Sequence, residues 1–179
     1  AESVSVVREC ADVIVQGNHD RAVESPSQVR GNQMAFAGIQ FARSRLSPEQ
    51  QKWLADLPIR GELGDGDYLT VHSHPEKTDR YVFPDQFEQV ATYGEGYKAI
   101  ILGHTHIQHK QWVDDTLVVN PGSVGQPRDE KPTAAYAVLN TNANSVELRR
   151  TPYNIDRVYH EIVVNDLPQQ TGERLFDGQ

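Results

Sequence analysis

Short β-branched runs alternate along the chain with longer stretches whose apolar positions recur at helical spacing, the pattern of a mixed α/β fold with antiparallel hairpins in its second half. Ser3 to Glu9 has the spacing of the tail of a helix, and Val13-Ile14-Val15 follows as a candidate buried strand ending at a Gly17-Asn18-His19-Asp20 loop. Met34 to Leu46 suits a helix. Ser47-Pro48-Glu49-Gln50 then supplies an N-cap, a proline at the first helical position and a glutamine at the third, starting a helix expected to reach about Leu57. A glycine-aspartate turn at 64–67 leads into a strand at Tyr68-Leu69-Thr70-Val71, and Pro84 to Tyr93 reads as another helix. Ala99-Ile100-Ile101-Leu102 is apolar throughout, as a strand covered on both faces must be. Asp114-Asp115 turns a hairpin between 107–113 and 116–119. Thr141 to Asn144 turns a second one between Ala134–Leu139 and Val146–Arg150, and a short helical tail closes the chain. No internal repeat, low-complexity tract or linker interrupts the sequence, so one domain over 1–179 is expected.

Charge narrows the partners. With 25 acidic and 17 basic side chains the formal charge is −8, which argues against sequence-independent binding to nucleic acid or to an anionic membrane. Hydrophobic residues make up 37% and charged residues 23%, with a mean hydropathy of −0.60, the balance of a soluble globular protein. The lone Cys10 cannot form an internal disulfide, and a reducing, cytoplasmic setting is expected. The first residues lack the charged and apolar regions of a signal peptide; the pattern reads as starting partway through a fold.

The chemistry gathers in the histidines. Six of the seven fall into three groups, His19, then His72 and His74, then His104, His106 and His109, each after an apolar strand candidate, and His160 stands apart. Strand ends are where an α/β sheet collects loops into a site. Imidazole is a neutral nitrogen ligand for transition metals and Asn18 can add a carbonyl oxygen, so a site here has N and O donors and no thiolate. A histidine pair in isolation reads equally as a surface turn or a satisfied core group. The Asn120 to Pro127 loop reads either as a tight connection or as a glycine-opened passage beside the metal loop and its substrate. Arg128 reads as an anion contact or as a solvated arginine, and Trp53 and Trp112 as core packing.

Four motifs, Gly17-Asn18-His19-Asp20, Val71-His72-Ser73-His74-Pro75, Gly103-His104-Thr105-His106 and Asn120-Pro121-Gly122-Ser123-Val124-Gly125-Gln126-Pro127-Arg128, stand in this order on strand ends. In them the chain resembles the calcineurin-like metallophosphoesterase superfamily, in particular its small bacterial phosphodiesterase-like members, from about Asp12 to the C-terminus. The resemblance implies an α/β sandwich of two packed mixed sheets with flanking helices. It implies a phosphoesterase acting on phosphomonoesters or phosphodiesters by attack of a metal-bound hydroxide on phosphorus, with two divalent ions (Mn, Fe, Zn, Ni or Mg). Asn18, His72 and His104 are then ligands of one ion and His106 of the second. His19 contacts the phosphate or protonates the leaving oxygen, with Asp20 orienting it. Arg128 and His74 are substrate-binding candidates; the family more often has a small residue at the latter position, and a plain surface histidine is the other reading.

The family's Asp-x-His motif and the Gly-Asp motif that follows it do not precede Asn18 here. The chain therefore reads as N-terminally incomplete, with an upstream strand, helix and strand of roughly fifty residues expected to carry the remaining ligands. The competing reading is a catalytically silent binding module with an incomplete metal site. A mononuclear zinc hydrolase has enough histidines but lacks a helical His-Glu-x-x-His signature.

Overall fold

Apolar runs with no polar alternation become the middle of a sheet. A computed structural model describes residues 1–179, apart from the side chain of Gln28. In chain order the elements are α1 (Glu2–Cys10), α2 (Asn18–Glu24), α3 (Gln33–Arg45), α4 (Pro48–Ala55), β1 (Arg60–Leu63), β2 (Tyr68–Val71), α5 (Phe87–Ala91), β3 (Ala99–Ile101), β4 (His109–Val113), β5 (Thr116–Asn120), β6 (Ala134–Asn140), β7 (Ser145–Thr151), α6 (Ile155–Val164) and α7 (Gln170–Glu173). Five strands form a mixed sheet in the order β1-β2-β3-β5-β4, and β6 and β7 form a second sheet. The central strands β2, β3 and β5 are parallel, with Leu69 beside Ile100 and Ile100 beside Val118, while β1 and β4 run antiparallel at the edges.

Alternation along the central strands divides two layers. Leu69, Val71, Ile100, Leu102 and Val118 pack with Phe87 and Val90 of α5. Tyr68, Ala99, Leu117 and Val119 face the opposite way and pack with Val146 of β7, so the second sheet covers that face. Both faces are buried, which is why these strands read as continuous apolar runs. The architecture is the α/β arrangement of two packed sheets with flanking helices. Ala22 and Val23 of α2, Ile39 of α3 and Leu54 of α4 make a separate helical cluster, with Trp53 packed against it. Helix α4 begins with a reciprocal cap, Gln50 N donating to Ser47 Oγ at 3.1 Å and Ser47 N to Gln50 Oε1 at 3.1 Å.

Several expectations are corrected. Val13 to Val15 pairs with no strand among the described residues; it lies half-buried across β1, where a Cβ on Gly61 would come within 2.5 Å of Val13 Cγ1. Burial of its β-branched side chains is met by lying over a glycine rather than by joining a ladder. The following motif is not a loop, because Asn18, His19 and Asp20 form the first turn of α2. The expected helix over 84–93 is α5 flanked by two 3-10 turns, Pro84–Gln86 and Thr92–Gly94. Gly94, in the second of these turns, stands where a side chain would meet Thr116 Cγ2 at 2.7 Å. Trp112 is not core: it points outward from the edge strand β4 and is 52% exposed. Among the described residues no helix is long and apolar enough to cross a membrane.

Candidate metal centre

Parallel strands deliver their carboxyl ends to one edge of the sheet. Strand β2 ends at Val71 and delivers His72, β3 leads into Gly103-His104-Thr105-His106, and β5 ends at Asn120. Asn18 reaches the same place from the first turn of α2, which is held by the packing of Ala22 and Val23 on α3 and α4. Gln16, buried just upstream, donates through Nε2 to the last carbonyls of α4, Leu54 O at 2.9 Å and Ala55 O at 2.8 Å. The start of α2 is thereby tied to the end of α4.

Three donors converge. His72 Nε2 lies 3.0 Å from Asn18 Oδ1 and 3.2 Å from His104 Nδ1. His104 Nε2 faces the Asp79 carbonyl oxygen at 3.1 Å. A carbonyl only accepts, so the His104 proton sits on Nε2 and Nδ1 carries the lone pair. The His72 Nε2 proton then points between two acceptors, His104 Nδ1 and Asn18 Oδ1, at the position a cation would take. Two donors bound about 2.1 Å from one ion stand roughly 3.0 Å apart at an octahedral edge and about 3.4 Å at a tetrahedral one. The two spacings from His72 Nε2, to Asn18 Oδ1 and to His104 Nδ1, fall in that range, as they would for donors sharing one divalent ion with N and O preference. His106 Nδ1 donates to Gln126 O at 2.7 Å, leaving its Nε2 as the free nitrogen. Among the described residues no three His, Cys, Asp or Glu side chains gather as a ligand group, so His106 offers a single nitrogen rather than a second set.

Packing positions these rings. Both His104 and His106 take left-handed backbone conformations, φ 67° and 61°, an uncommon choice for residues with a side chain and one found at functional loops. The loop is stapled by Asn120, only 1% exposed, whose Nδ2 donates to Gly103 O at 2.7 Å and Thr105 Oγ1 at 2.9 Å while its Oδ1 accepts from Gly122 N at 2.9 Å. The His72 ring lies between two glycines: a Cβ on Gly17 would meet His72 Cε1 at 3.2 Å, and one on Gly103 would meet His72 Nδ1 at 3.3 Å. Gly122, by contrast, makes room for Ala135 of β6 and Gln108 rather than for the metal loop. Asp79, whose carbonyl holds His104, is itself held by an ion pair to Arg21 of α2 and by its N–H to Ser73 Oγ at 3.0 Å. Tyr81 stacks on the His104 ring, with centroids 4.0 Å apart.

Burial keeps the histidines neutral. Desolvation, with the charges of His104 and His106 adding to it, pushes the His72 pKa down to about 4. Desolvation and the Arg128 guanidinium push that of His106 down to about 4. His104 is lowered by desolvation against the opposing Asp79 carbonyl and carboxylate. Neutral imidazoles are what a metal requires.

The remaining candidates separate. His19 is exposed at the mouth of the site, and desolvation by the surrounding protein lowers its pKa, opposed by Asp20 and aided by Arg128. Asp20 is turned to a helical cap: its Oδ2 accepts from Gly17 N at 2.7 Å, and among the described residues no hydrogen bond joins it to His19. Its carboxyl is raised by desolvation despite that bond. Arg128 is half-buried beside His106, donating from N to His106 O at 3.2 Å and from Nη2 to Gln126 Oε1 at 2.9 Å, while its buried Nε has no partner among the described residues. His74 departs from its expected use: it is buried, its Nδ1 accepts from Glu76 N and Lys77 N, and its ring packs edge-on against Tyr93. Through Nδ1 it holds the turn that follows it.

Sequence reasoning missed Asp79, Tyr81 and Arg21, and gave Asn120 no role beyond its place in a motif. Only Asn120 carried a signal, an Asn-Pro-Gly placed at the end of an apolar strand. Asp79 and Tyr81 act from a turn with no periodicity, and Arg21 of α2 has no ligand spacing to mark it.

The profile of the calcineurin-like phosphoesterase superfamily domain matches residues 1–144, and the chain belongs to that family of metal-dependent phosphoesterases. Over 198 residues it is 31% identical to an uncharacterized protein of Methanocaldococcus jannaschii, covering 99% of this chain and 80% of the relative. It is 26% identical over 87 residues to a probable metallophosphoesterase of Mycoplasma pneumoniae, covering 48% of this chain and 54% of that one. A metallophosphoesterase crystal structure from Sphaerobacter thermophilus superposes with a TM-score of 0.85 at 27% identity, over 99% of this chain and 82% of that one. A hypothetical protein from Pyrococcus horikoshii superposes with a TM-score of 0.86 at 19% identity, over 99% and 78%, and shares the fold.

Proposed function

We propose that this chain binds a divalent ion through Asn18, His72 and His104 and hydrolyses phosphate esters at the carboxyl edge of its sheet. The observation that carries this reading is the convergence of three neutral donors whose partner atoms are fixed from behind, His72 between two glycines and His104 on the Asp79 carbonyl. A bound divalent ion supplies Lewis acidity toward the phosphoryl oxygens. His106 supplies one nitrogen toward a second ion. The half-buried Arg128 beside His106 supplies positive charge toward the anion, which a protein of charge −8 otherwise repels. His19 holds a proton for the departing ester oxygen; the incoming phosphate raises its pKa against the lowering by desolvation and Arg128. Phosphomonoesters and phosphodiesters are both within this reading, in a cytoplasmic setting.

Hydrolysis of p-nitrophenyl phosphate and bis(p-nitrophenyl) phosphate with added Mn2+ tests it. Release of p-nitrophenolate that requires the metal and disappears in His104→Ala supports a phosphoesterase. That no three His, Cys, Asp or Glu side chains gather among the described residues favours a second reading, a silent binding module. Metal-dependent binding of phosphate with no turnover of either ester would establish that one instead.

A further inference from the structure

Beside His104 the surface carries two large aromatic rings that packing does not account for. Tyr81 is 44% exposed and Phe83 is 43% exposed, while Val82 between them is 3% exposed and sits in the core. Burial of Val82 anchors the segment and turns its two neighbours outward together. Their rings are nearly parallel to one another, 11° apart and stacked with centroids at 5.7 Å, and Tyr81 stacks on His104 at 24° and 4.0 Å. The three planes thus form an offset stack that starts on a metal-site histidine and runs out to solvent.

We infer that Tyr81 and Phe83 form a stacking platform for the base of a nucleotide ester whose phosphate occupies the neighbouring site, which makes nucleotides the preferred substrate class. The inference rests on the phosphoesterase reading above. A stack of flat rings recognises a flat π-face, and a base on such a platform gains about tenfold or more in affinity. An aliphatic alcohol on the same phosphate has no face to offer. Because the platform reads the face of a ring and not its edge, it tolerates different bases and favours the larger purines.

The test is equilibrium binding by calorimetry to the full chain with Mn2+, using adenosine 5′-monophosphate and ribose 5-phosphate, which share phosphate and sugar. The expected result is about tenfold tighter binding of the nucleotide, with upfield shifts of the adenine H8 and H2 resonances. Phe83→Ala brings the two affinities together, and Phe83→Trp restores the gap; the exposed position of Phe83 makes both changes compatible with folding, which a melting curve checks. Equal binding of the two ligands by the parent, or an undiminished gap in Phe83→Ala and in Tyr81→Leu, overturns the platform. If ribose 5-phosphate binds only with Mn2+ and the base adds nothing, the platform alone falls. If neither ligand binds with or without Mn2+, the phosphoesterase reading falls and takes the platform with it.

Discussion

His72 Nε2 stands 3.2 Å from His104 Nδ1, although the two residues leave different strands and are 32 positions apart in sequence. Their rings meet edge to face, with centroids 5.0 Å apart, so the two nitrogens and not the two faces point at each other. Parallel pairing of β2 with β3 brings the strand ends together, and the left-handed backbone at His104 aims its ring back toward His72.

That approach depends on a missing side chain. A Cβ at Gly103 would lie 3.3 Å from both His72 Nδ1 and His72 O, so Gly103→Ala forces the ring or the strand end to give way by a few tenths of an ångström. The substitution is expected to cost about 1–2 kcal/mol of stability and to weaken metal binding about tenfold. Urea denaturation and a Mn2+ titration measure the two effects. An affinity equal to the parent's would show that His72 is not positioned this way.

Asn120 makes two donor bonds and one acceptor bond in a buried setting. Asn120→Ala leaves Gly103 O, Thr105 Oγ1 and Gly122 N without that partner, a loss of about 2–4 kcal/mol. The metal loop should loosen with it, giving a lower denaturation midpoint and faster amide exchange at Thr105. A variant as stable as the parent would contradict the staple.

Acid should destabilise the metal-free protein through these histidines. His72 and His106 have folded pKa values near 4, against about 6.5 in the unfolded chain. Between those values the unfolded state binds more protons, so stability is complete above about pH 6.5 and falls as pH drops toward 4. Asp20, with its raised pKa, works in the opposite direction at the acid end. Urea midpoints from pH 7 to 4 should therefore fall more steeply for the parent than for His106→Gln, and parallel curves would contradict the assignment.

His19 stands apart from the three converging donors, exposed at the start of α2. His19→Ala is expected to lower kcat on a phosphodiester by about 100-fold or more while leaving Mn2+ affinity unchanged. Equal losses in both would make it a ligand instead of a proton donor.

Much of this was legible because the physics is local. Tyr68–Val71, Ala99–Ile101 and Thr116–Asn120 must be apolar to lie in a sheet covered on both sides, and their ends fix where His72, His104 and Asn120 emerge. The Ser47 and Gln50 cap is likewise written in four consecutive residues. Val13 to Val15 misled because a β-branched run can satisfy burial by lying over Gly61 instead of pairing. The start of α2 was hidden since Gly17 has no capping side chain and Asp20 caps backward onto its N–H. Asp79 and Tyr81 were invisible for a different reason. One acts on His104 through a main-chain carbonyl and the other through a ring face, and neither leaves a pattern in sequence.

In the proposed site Asn18, His72 and His104 together hold one divalent ion. Titration of the metal-free chain with Co2+, followed by calorimetry and by the visible absorption of the bound ion, tests it most directly. One site is predicted in the parent, weakened about 100-fold or more in His104→Ala and in His72→Ala, with both variants still folded by circular dichroism. Binding of Co2+ with the same affinity and spectrum in the parent and in both variants would contradict it.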